Sequence, residues 1–572
     1  MSTLQQQLQD RLHARLAEMA PDADLSKVVV NKSKAGHGSD FQTAAAMQLA
    51  KVLRRKPRDI AEEIVAGLDV ADLAAVDVGG PGFIGFTLTE AALGAQLAGA
   101  LTDATHGIEQ RQGTVVIDFS SPNVAKRMHI GHIRSTIIGD ALRRMGLALG
   151  YRVVGDNHIG DWGTQFGQLI YAYRNWLDED SWNDDAVGEL ERLYVKFHQA
   201  AHEDESLNDI ARAELAKLQA GDPDNRALWQ LFIDSSRHAF DAIYDRLDVR
   251  FDVTYGESHY DERLQPLVEE MLASGVAEPS DGAVCVFFKD DDGEDTMTPF
   301  LIRKQDGAAL YATSDIATVE FRKTEWDPDQ VIYVTDMRQQ LHFQQLFATV
   351  RKMGFDMDLR HVWFGMMSLP EGAMATRKGN VIRLVDLLDE AERRARATLD
   401  ERGQYDDFSD DEKAELASII GLGAVKYADL SNNPQTNIVF SFDKMLSFEG
   451  NTAPYLQYTS ARTHSLLRKA AGEGFEPDGT TFVAADPQDR ELLLAALGLG
   501  GAVAAAYDAG KPSTLATFLY ELAQGYHRWY AHCRVLGEAP EVTASRLNLS
   551  LLVQRTLVHG LSLLGIRAPE RM

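Results

Sequence analysis

Apolar residues recur at helical spacing over 4–19, 41–53 and 60–68, then give way to two short runs, 75–78 and 83–88, that read as strand–turn–strand. A second regime begins at 114. The segment TVVIDF (114–119) is an apolar, β-branched run, the pattern of a buried strand. After a polar loop, Ile137, Ile138, Ala141, Leu142 and Met145 return to helical spacing, and 151–154 is the next strand. Charge-rich helical sequence fills 165–246, followed by short strands around 249–255 and 283–288. Further strands are read at 310–313 (LYAT), 331–334 (VIYV) and 361–365, with Ser314 or Asp315 capping a helix after the first. From about 409 the pattern is helical: 412–427, 454–471, 490–507, 513–535 and 547–564. The expected organisation is multidomain α/β. A small N-terminal α/β domain (1–110) precedes a doubly wound parallel-sheet domain (111–400) split by an insertion at about 165–300. An all-α helical bundle (401–572) follows. Few contacts are expected to cross the boundary near 108, so the remainder should fold without the first domain.

The 572 residues are too many for one core. No stretch reaches the ~18–20 apolar residues of a membrane span, and the amphipathic start lacks the apolar core of a secretory signal, so no membrane partner is expected. Two cysteines, Cys285 and Cys533, are too few for a zinc cage or a disulfide framework, and a reducing cytoplasm is the expected location. The formal charge of −28 opposes non-specific nucleic-acid binding. An RNA partner would then need concentrated basic surfaces, with candidates at 54–58, 126–134, 377–383 and 462–469.

Polar chemistry collects just past three predicted strand ends, where open α/β sheets bind ligands. The first stretch, SSPNVAKRMHIGHIRSTIIGD (120–140), carries Ser120, Asn123, Lys126 and Arg127, then His129 and His132 on one face of the first helical turn. Gly131 between them lets a flat ligand approach the backbone, and a helix N-terminus attracts phosphate. The second stretch is GDNHIGDWG (155–163), and the third is TDMRQQLHF (335–343). Two tempting patterns fail. GPGFIG (80–85) spells a dinucleotide fingerprint but continues as a strand where that fingerprint needs a helix. The acidic run 290–295 lacks the terminal Glu of a calcium loop and reads as a solvated hairpin. Tyr526–Arg534 interleaves aromatic and basic residues, which suits either base stacking or a mixed core-and-rim helix.

The central stretch resembles the HIGH signature of class I aminoacyl-tRNA synthetases, in its arginyl-tRNA synthetase version. Further co-linear likenesses are GDNHIGDWGTQFG (155–167), YVTDMRQQLHFQQLF (333–347), VKYADLSNNP (425–434), FEGNTAPYLQYTSAR (448–462) and LGIRAPERM (564–572). The resemblance implies a class I Rossmann-like catalytic domain, an N-terminal domain that contacts tRNA and an anticodon-binding bundle. It implies arginine–tRNA ligation in two steps, through arginyl-adenylate, with ATP and tRNA(Arg) as co-substrates and Mg2+ arriving with ATP; beside it, no protein-bound zinc and a monomer are expected. His129, Gly131 and His132 match the ATP-holding motif. Asp118, Asn123, Tyr311, Asp315 and Gln339 fall at the arginine-pocket positions. Asp315 and Asp118 are assigned to the guanidinium, Asn123 and Gln339 to the amino and carboxylate groups, and Ser120 to an assisting role. The family commonly has Glu at 118, and it has Asn where Gly85 stands here. The Lys-Met-Ser-Lys loop of the class is degenerate here, AMATRKG (373–379), without its first lysine. Lys126 is the assigned substitute, with Arg377 and Lys378 as further cations. Two readings compete with this one: another class I synthetase or a smaller HxGH nucleotidyltransferase, and a non-catalytic tRNA-binding or regulatory paralogue.

Overall fold

The computed structural model describes residues 3–33, 38–290, 292–368, 382–403, 405 and 407–572. The N-terminal domain holds α1 (Leu4–Met19), β1 (Val30–Lys32), β2 (Phe41–Thr43), α2 (Ala45–Leu53), α3 (Pro57–Ala66), β3 (Ala74–Gly79), β4 (Phe83–Leu88) and α4 (Glu90–Thr102). The four strands form an antiparallel sheet in the order β1-β2-β4-β3. GPGFIG is the turn and start of the β3–β4 hairpin, as the strand reading required. The expected helix from 41 begins only at Ala45, because Phe41–Thr43 is claimed by pairing with β1 and β4.

The central sheet is parallel, ordered β11-β10-β5-β6, from β5 (Thr114–Asp118), β6 (Arg152–Asp156), β10 (Gln330–Asp336) and β11 (Asp358–Phe364). The chain leaves β5 toward β6 and later returns to β10 and β11 on the other side. The topological switch point therefore lies between β5 and β10, and the sheet's ligand site is expected above it. Between β5 and β6 runs α5 (Ile130–Ala148). The helical insertion comprises α6 (Gln165–Trp176), α7 (Glu179–Asp184), α8 (Ala186–Glu203), α9 (Ser206–Gln219) and α10 (Pro223–Arg246), with an apolar core of its own. A 3-10 turn, Glu257–Tyr260, leads into α11 (Asp261–Ala273) and the antiparallel sheet of β7 (Glu278–Ser280), β8 (Ala283–Lys289) and β9 (Asp295–Arg303). At the β8–β9 turn Asp290 Oδ1 accepts the N–H groups of Asp292 and Glu294, the expected hairpin.

LYAT is not a strand. Helix α12 (Tyr311–Trp326) starts there, so Ser314 and Asp315 lie inside its first turns instead of capping it. Four apolar-looking residues cannot be told from a buried helix start by pattern alone. The longer periodicity of Ala312, Ile316, Ala317 and Val319 faces the core. A 3-10 turn (Met337–Gln339) follows β10 and opens α13 (Gln340–Lys352), which packs with α11 and α12 on one face of the sheet.

The remainder runs β12 (Met367–Ser368), α14 (Leu384–Arg402), α15 (Asp410–Leu430), β13 (Ile438–Val439), α16 (Phe442–Met445), α17 (Ala453–Gly472), α18 (Pro487–Ala496), α19 (Leu499–Ala509), α20 (Pro512–His532) and α21 (Pro540–Leu563). The helix expected over 490–507 is broken into α18 and α19, bent by 40°. No single helix among the described residues is long and apolar enough to cross a membrane.

The described structure corrects the expectation of few contacts near 108. One apolar cluster runs from Leu93, Leu97 and Leu101 of α4 through α18 and α21 to Ile137, Ala141 and Met145 of α5. Arg490 donates from Nε to Asp40 Oδ1 at 2.9 Å, and His106 stacks on His559 with centroids 4.1 Å apart.

Candidate active site

Strand β5 ends at Asp118, and the loop that follows holds Ser120, Ser121 and Ala125 at φ of +73°, +48° and +63°. Three left-handed non-glycine residues in one loop is the kind of stored strain that collects at functional sites. Packing enforces it. Helix α5 passes so close to the strand end that a Cβ on Gly139 would lie 2.3 Å from the Phe119 side chain. The loop is then fastened from within, Ser120 N–H donating to Ser135 Oγ at 2.8 Å.

At the start of α5 the two histidines cap the helix. His129 Nδ1 accepts the Gly131 N–H at 3.0 Å, and His132 Nδ1 accepts the His129 N–H at 3.0 Å. Their rings lie 3.9 Å apart. Burial, then the neighbouring His129 ring, pushes His132 down to about 3, and burial followed by the Lys126 charge lowers His129. Both rings are neutral at pH 7. With Nδ1 accepting, the proton sits on Nε2, so each ring offers one N–H to a ligand. Lys126 is exposed, its Nζ 5.4 Å from the Tyr194 ring centroid. Arg127 is instead engaged by Asp185 and Glu191 of the helical insertion. Arg377 and Lys378, with the whole 373–379 stretch, lie outside the described residues.

Above the switch point the charged groups interlock. Arg322 of α12 is wholly buried and donates from Nη2 to Asp118 Oδ2 (2.6 Å) and to Asp156 Oδ2 (2.7 Å), with its guanidinium 5.3 Å from the Tyr333 ring centroid. The Asp118 carboxylate thus faces an internal arginine, and its other oxygen accepts the Ser121 hydroxyl at 3.0 Å. Asp315 lies one helical repeat from Arg322, is 6% exposed, and its Oδ2 meets His342 Nε2 at 2.6 Å. Tyr311, the first residue of α12, is 46% exposed with its ring 5.1 Å from that of His342. The Asp315 charge, with those of Asp118 and Glu257, holds the Tyr311 phenol well above its ordinary value. Burial, with the like charges of Asp315 and Asp161, pushes the Glu257 carboxyl up to about 8. Carboxyl groups from β5, α12 and the 257–260 turn thus act on one phenol.

Of the remaining sequence candidates, Asn123 is exposed in the loop and bridged by backbone to Gly160, while Gln339 precedes α13, three residues before His342. The Ser120 hydroxyl is engaged by Thr136 Oγ1 and the Tyr244 hydroxyl, each at 2.8 Å. Sequence reasoning missed three residues. His342 stood in a quoted stretch without a role, and Arg322 was foreseeable only from the spacing of seven to Asp315. Glu257 left no local signal, because only the insertion's return path brings it here. Among the described residues no group of three or more His, Cys, Asp or Glu side chains is arranged to hold a metal.

A helix opening on His-x-Gly-His above the switch point of a doubly wound sheet marks the class I aminoacyl-tRNA synthetases. Residues 96–442 match the family described as tRNA synthetases class I (R), catalytic domain. Residues 3–88 match the arginyl tRNA synthetase N terminal domain, and 456–572 the DALR anticodon binding domain. The arginine–tRNA ligase of Fusobacterium nucleatum is 42% identical over 577 residues, covering 100% of both chains. The arginyl-tRNA synthetases of Plasmodium falciparum and Thermus thermophilus superpose with TM-scores of 0.83 and 0.81 at 25% and 27% identity, again covering 100% of each chain. This chain belongs to the arginyl-tRNA synthetase family.

Proposed function

We infer that the chain acts as an arginine–tRNA ligase: it joins L-arginine to the α-phosphate of ATP, releases pyrophosphate, and passes the arginyl group to the 3′ end of tRNA(Arg). The observation that carries the amino-acid half is the buried Asp315 carboxylate, held by His342 at 2.6 Å one turn along α12 from Tyr311, whose ring lies 5.1 Å from the same histidine. A planar, permanently charged guanidinium is the side chain such a pocket fits, since its fork donates to carboxylates in pairs. Asp315 takes that group with Glu257 beside it, and Tyr311 forms the exposed wall. Asp118, half engaged by Arg322, contributes charge from beneath. Asn123 and Gln339 hold the amino and carboxylate groups.

On the nucleotide side, His129 and His132 present their Nε2–H groups to ATP across Gly131. No enzyme nucleophile is needed. The chain supplies in-line positioning and neutralises charge on the departing pyrophosphate. Lys126 is the cation assigned there, with Arg377 and Lys378 beside it. Magnesium would arrive with the nucleotide and supply further charge neutralisation at its phosphates. The 1–110 domain and the C-terminal bundle contact tRNA, and one chain carries every group the reaction uses, which supports a working monomer. Two buried free cysteines suit a reducing cytoplasm.

The test is arginine-dependent exchange of pyrophosphate into ATP, with and without tRNA(Arg), followed by aminoacylation. Exchange supported by another amino acid would redirect the reading to a different synthetase, and none at all would make the chain a tRNA-binding paralogue. Within the pocket, Asp315→Asn should weaken arginine binding by ~1.5–3 kcal/mol, the range for hydrogen bonds to charged groups. The KM for ATP should stay as it is. An unaltered KM for arginine would remove Asp315 from the site.

A further inference from the structure

Glu257 reaches the pocket because two loops from distant parts of the chain are joined along a seam. Asp161, in the loop after β6, accepts the Ser258 N–H on Oδ1 at 2.8 Å and the Ser258 hydroxyl on Oδ2 at 2.6 Å. The Glu257 N–H donates to the Ile159 carbonyl at 3.1 Å. A Cβ on Gly256 would stand 2.1 Å from the Asp161 carboxylate, so this approach requires glycine. From the other side, Trp229 of α10 donates its indole N–H to the Asp161 carbonyl at 2.9 Å, which ties the seam to the helical insertion. Asp161 is 5% exposed, and among the described residues no lysine or arginine pairs with it. A buried, unpaired carboxylate is costly, and this one spends both oxygens on a single serine.

We propose that Asp161 is a positioning residue for arginine selection, holding the Gly256–Tyr260 turn so that Glu257 stands beside Asp315. The proposal rests on the arginine reading of the pocket. The 257–260 turn packs on α12, the His259 and Tyr260 rings lying 4.9 and 5.6 Å from that of Phe321, and there the charges of Asp315 and Asp161 act on Glu257, while His158 acts on Asp161. With the pocket empty, Glu257 keeps its proton through neutrality. A guanidinium placed against it favours the carboxylate, and the proton passes to solvent. Arginine binding at neutral pH therefore releases a proton and weakens as the pH falls. A neutral side chain of the same shape gains nothing that offsets ionising Glu257, so the pair selects for full charge.

Titration calorimetry of the full chain with L-arginine, in buffers of different ionisation enthalpy and with tRNA(Arg) present, reads the proton directly. Wild type should release close to one proton at neutral pH and progressively fewer above pH ~8, where Glu257 is already ionised. Asp161→Asn keeps the acceptor for the Ser258 N–H but removes a like charge, so the midpoint of release should move down by ~1 pH unit. Ser258→Ala leaves the charge and loosens the turn. Its midpoint should stay put while the KM for arginine rises ~2–10-fold and that for ATP does not change. Glu257→Gln should release none. A proton still released by Glu257→Gln, or an Asp161→Asn profile that overlays wild type, would overturn the proposal. An equal loss of arginine and ATP binding in Ser258→Ala would do the same, because it would make the seam a matter of folding. If wild type binds no arginine at all, it is the arginine reading that fails.

Discussion

His129 and His132 do two things with one ring each: Nδ1 satisfies an orphan N–H at the start of α5, and Nε2 is left to donate outward. The roles separate by substitution. His132→Asn places an amide oxygen near Nδ1 and nothing near Nε2, so the cap survives. Single-turnover adenylate formation should fall by ~10²–10³, the effect of deleting one preorganised donor, with thermal stability nearly unchanged. His132→Ala should lose the rate and also ~1 kcal/mol of stability through the lost cap. Equal melting curves for the two variants would count against the capping role. Lys126 is the second case. Its charge is exposed beside the histidines, whereas Arg127 is occupied by Asp185 and Glu191. Lys126→Ala should slow adenylation by ~10²–10³ and leave arginine binding intact. A wild-type rate would place the compensating charge elsewhere, Arg377 and Lys378 being next.

At the scale of elements, α5 is the hub. Arg134, one turn from His129 and 1% exposed, donates from Nη2 to Asp429 Oδ1 of α15 at 2.8 Å and from Nη1 to the Gly365 and Thr436 carbonyls at 2.7 and 2.9 Å. It also reaches the Pro434 carbonyl at 3.1 Å. One side chain thereby sets the histidine-bearing helix against the end of β11 and the helical domain. Removing one partner of a buried pair strands the other, which costs ~3–5 kcal/mol. Arg134→Met should therefore destabilise the chain by that amount in urea unfolding. Adding Asp429→Leu should recover a large part of it, since the stranded charge is gone. A double variant no better than the single would show that the carbonyl contacts, not the ion pair, dominate. The aromatic stretch of α20 belongs to this scale too. Tyr526 and Trp529 are buried, with the Trp529 indole donating to Asp489 Oδ1 at 2.7 Å, so those two aromatics are core while Arg528, Ala531, His532 and Arg534 are exposed. Tyr530, under the Arg462 guanidinium at 4.4 Å, is its rim.

For the whole molecule, the first and last domains share one apolar core through α4, α18 and α21. Deleting 1–108 strips Leu93, Leu97 and Leu101 from that core and exposes their partners to water, at roughly 1.5–3 kcal/mol for each side chain fully buried. The trimmed chain should melt at a lower temperature and bind a hydrophobic dye. A chain cut only to 88, which keeps α4, should behave closer to full length. Identical melting of the three would mean the domains are independent after all. Lys426 is a further joint. Burial lowers it to about 8 despite Asp140, and its Nζ donates to the carbonyls of Leu247 and, at 2.6 Å, of Gly565. One ammonium thus links α15, the end of the insertion and the C-terminal tail.

Periodicity alone determined the domain order, the buried strands at 114–119 and 331–334 and the polar loop before His129, because a two- or 3.6-residue repeat is a local property of a chain. Local chemistry likewise marked Asn123 and the two histidines, whereas Asp315, locally a helix cap, was marked for the pocket by the family resemblance alone. It misjudged 310–313 and 41–43, where four residues or fewer carry too little period to separate strand from helix. Tertiary structure alone decided that Asp118 meets Arg322, that Asp315 meets His342, and that the charges of Asp315 and Asp161 bear on Glu257. Those pairings join residues as far as 204 positions apart, and no local pattern encodes which buried charge will face which.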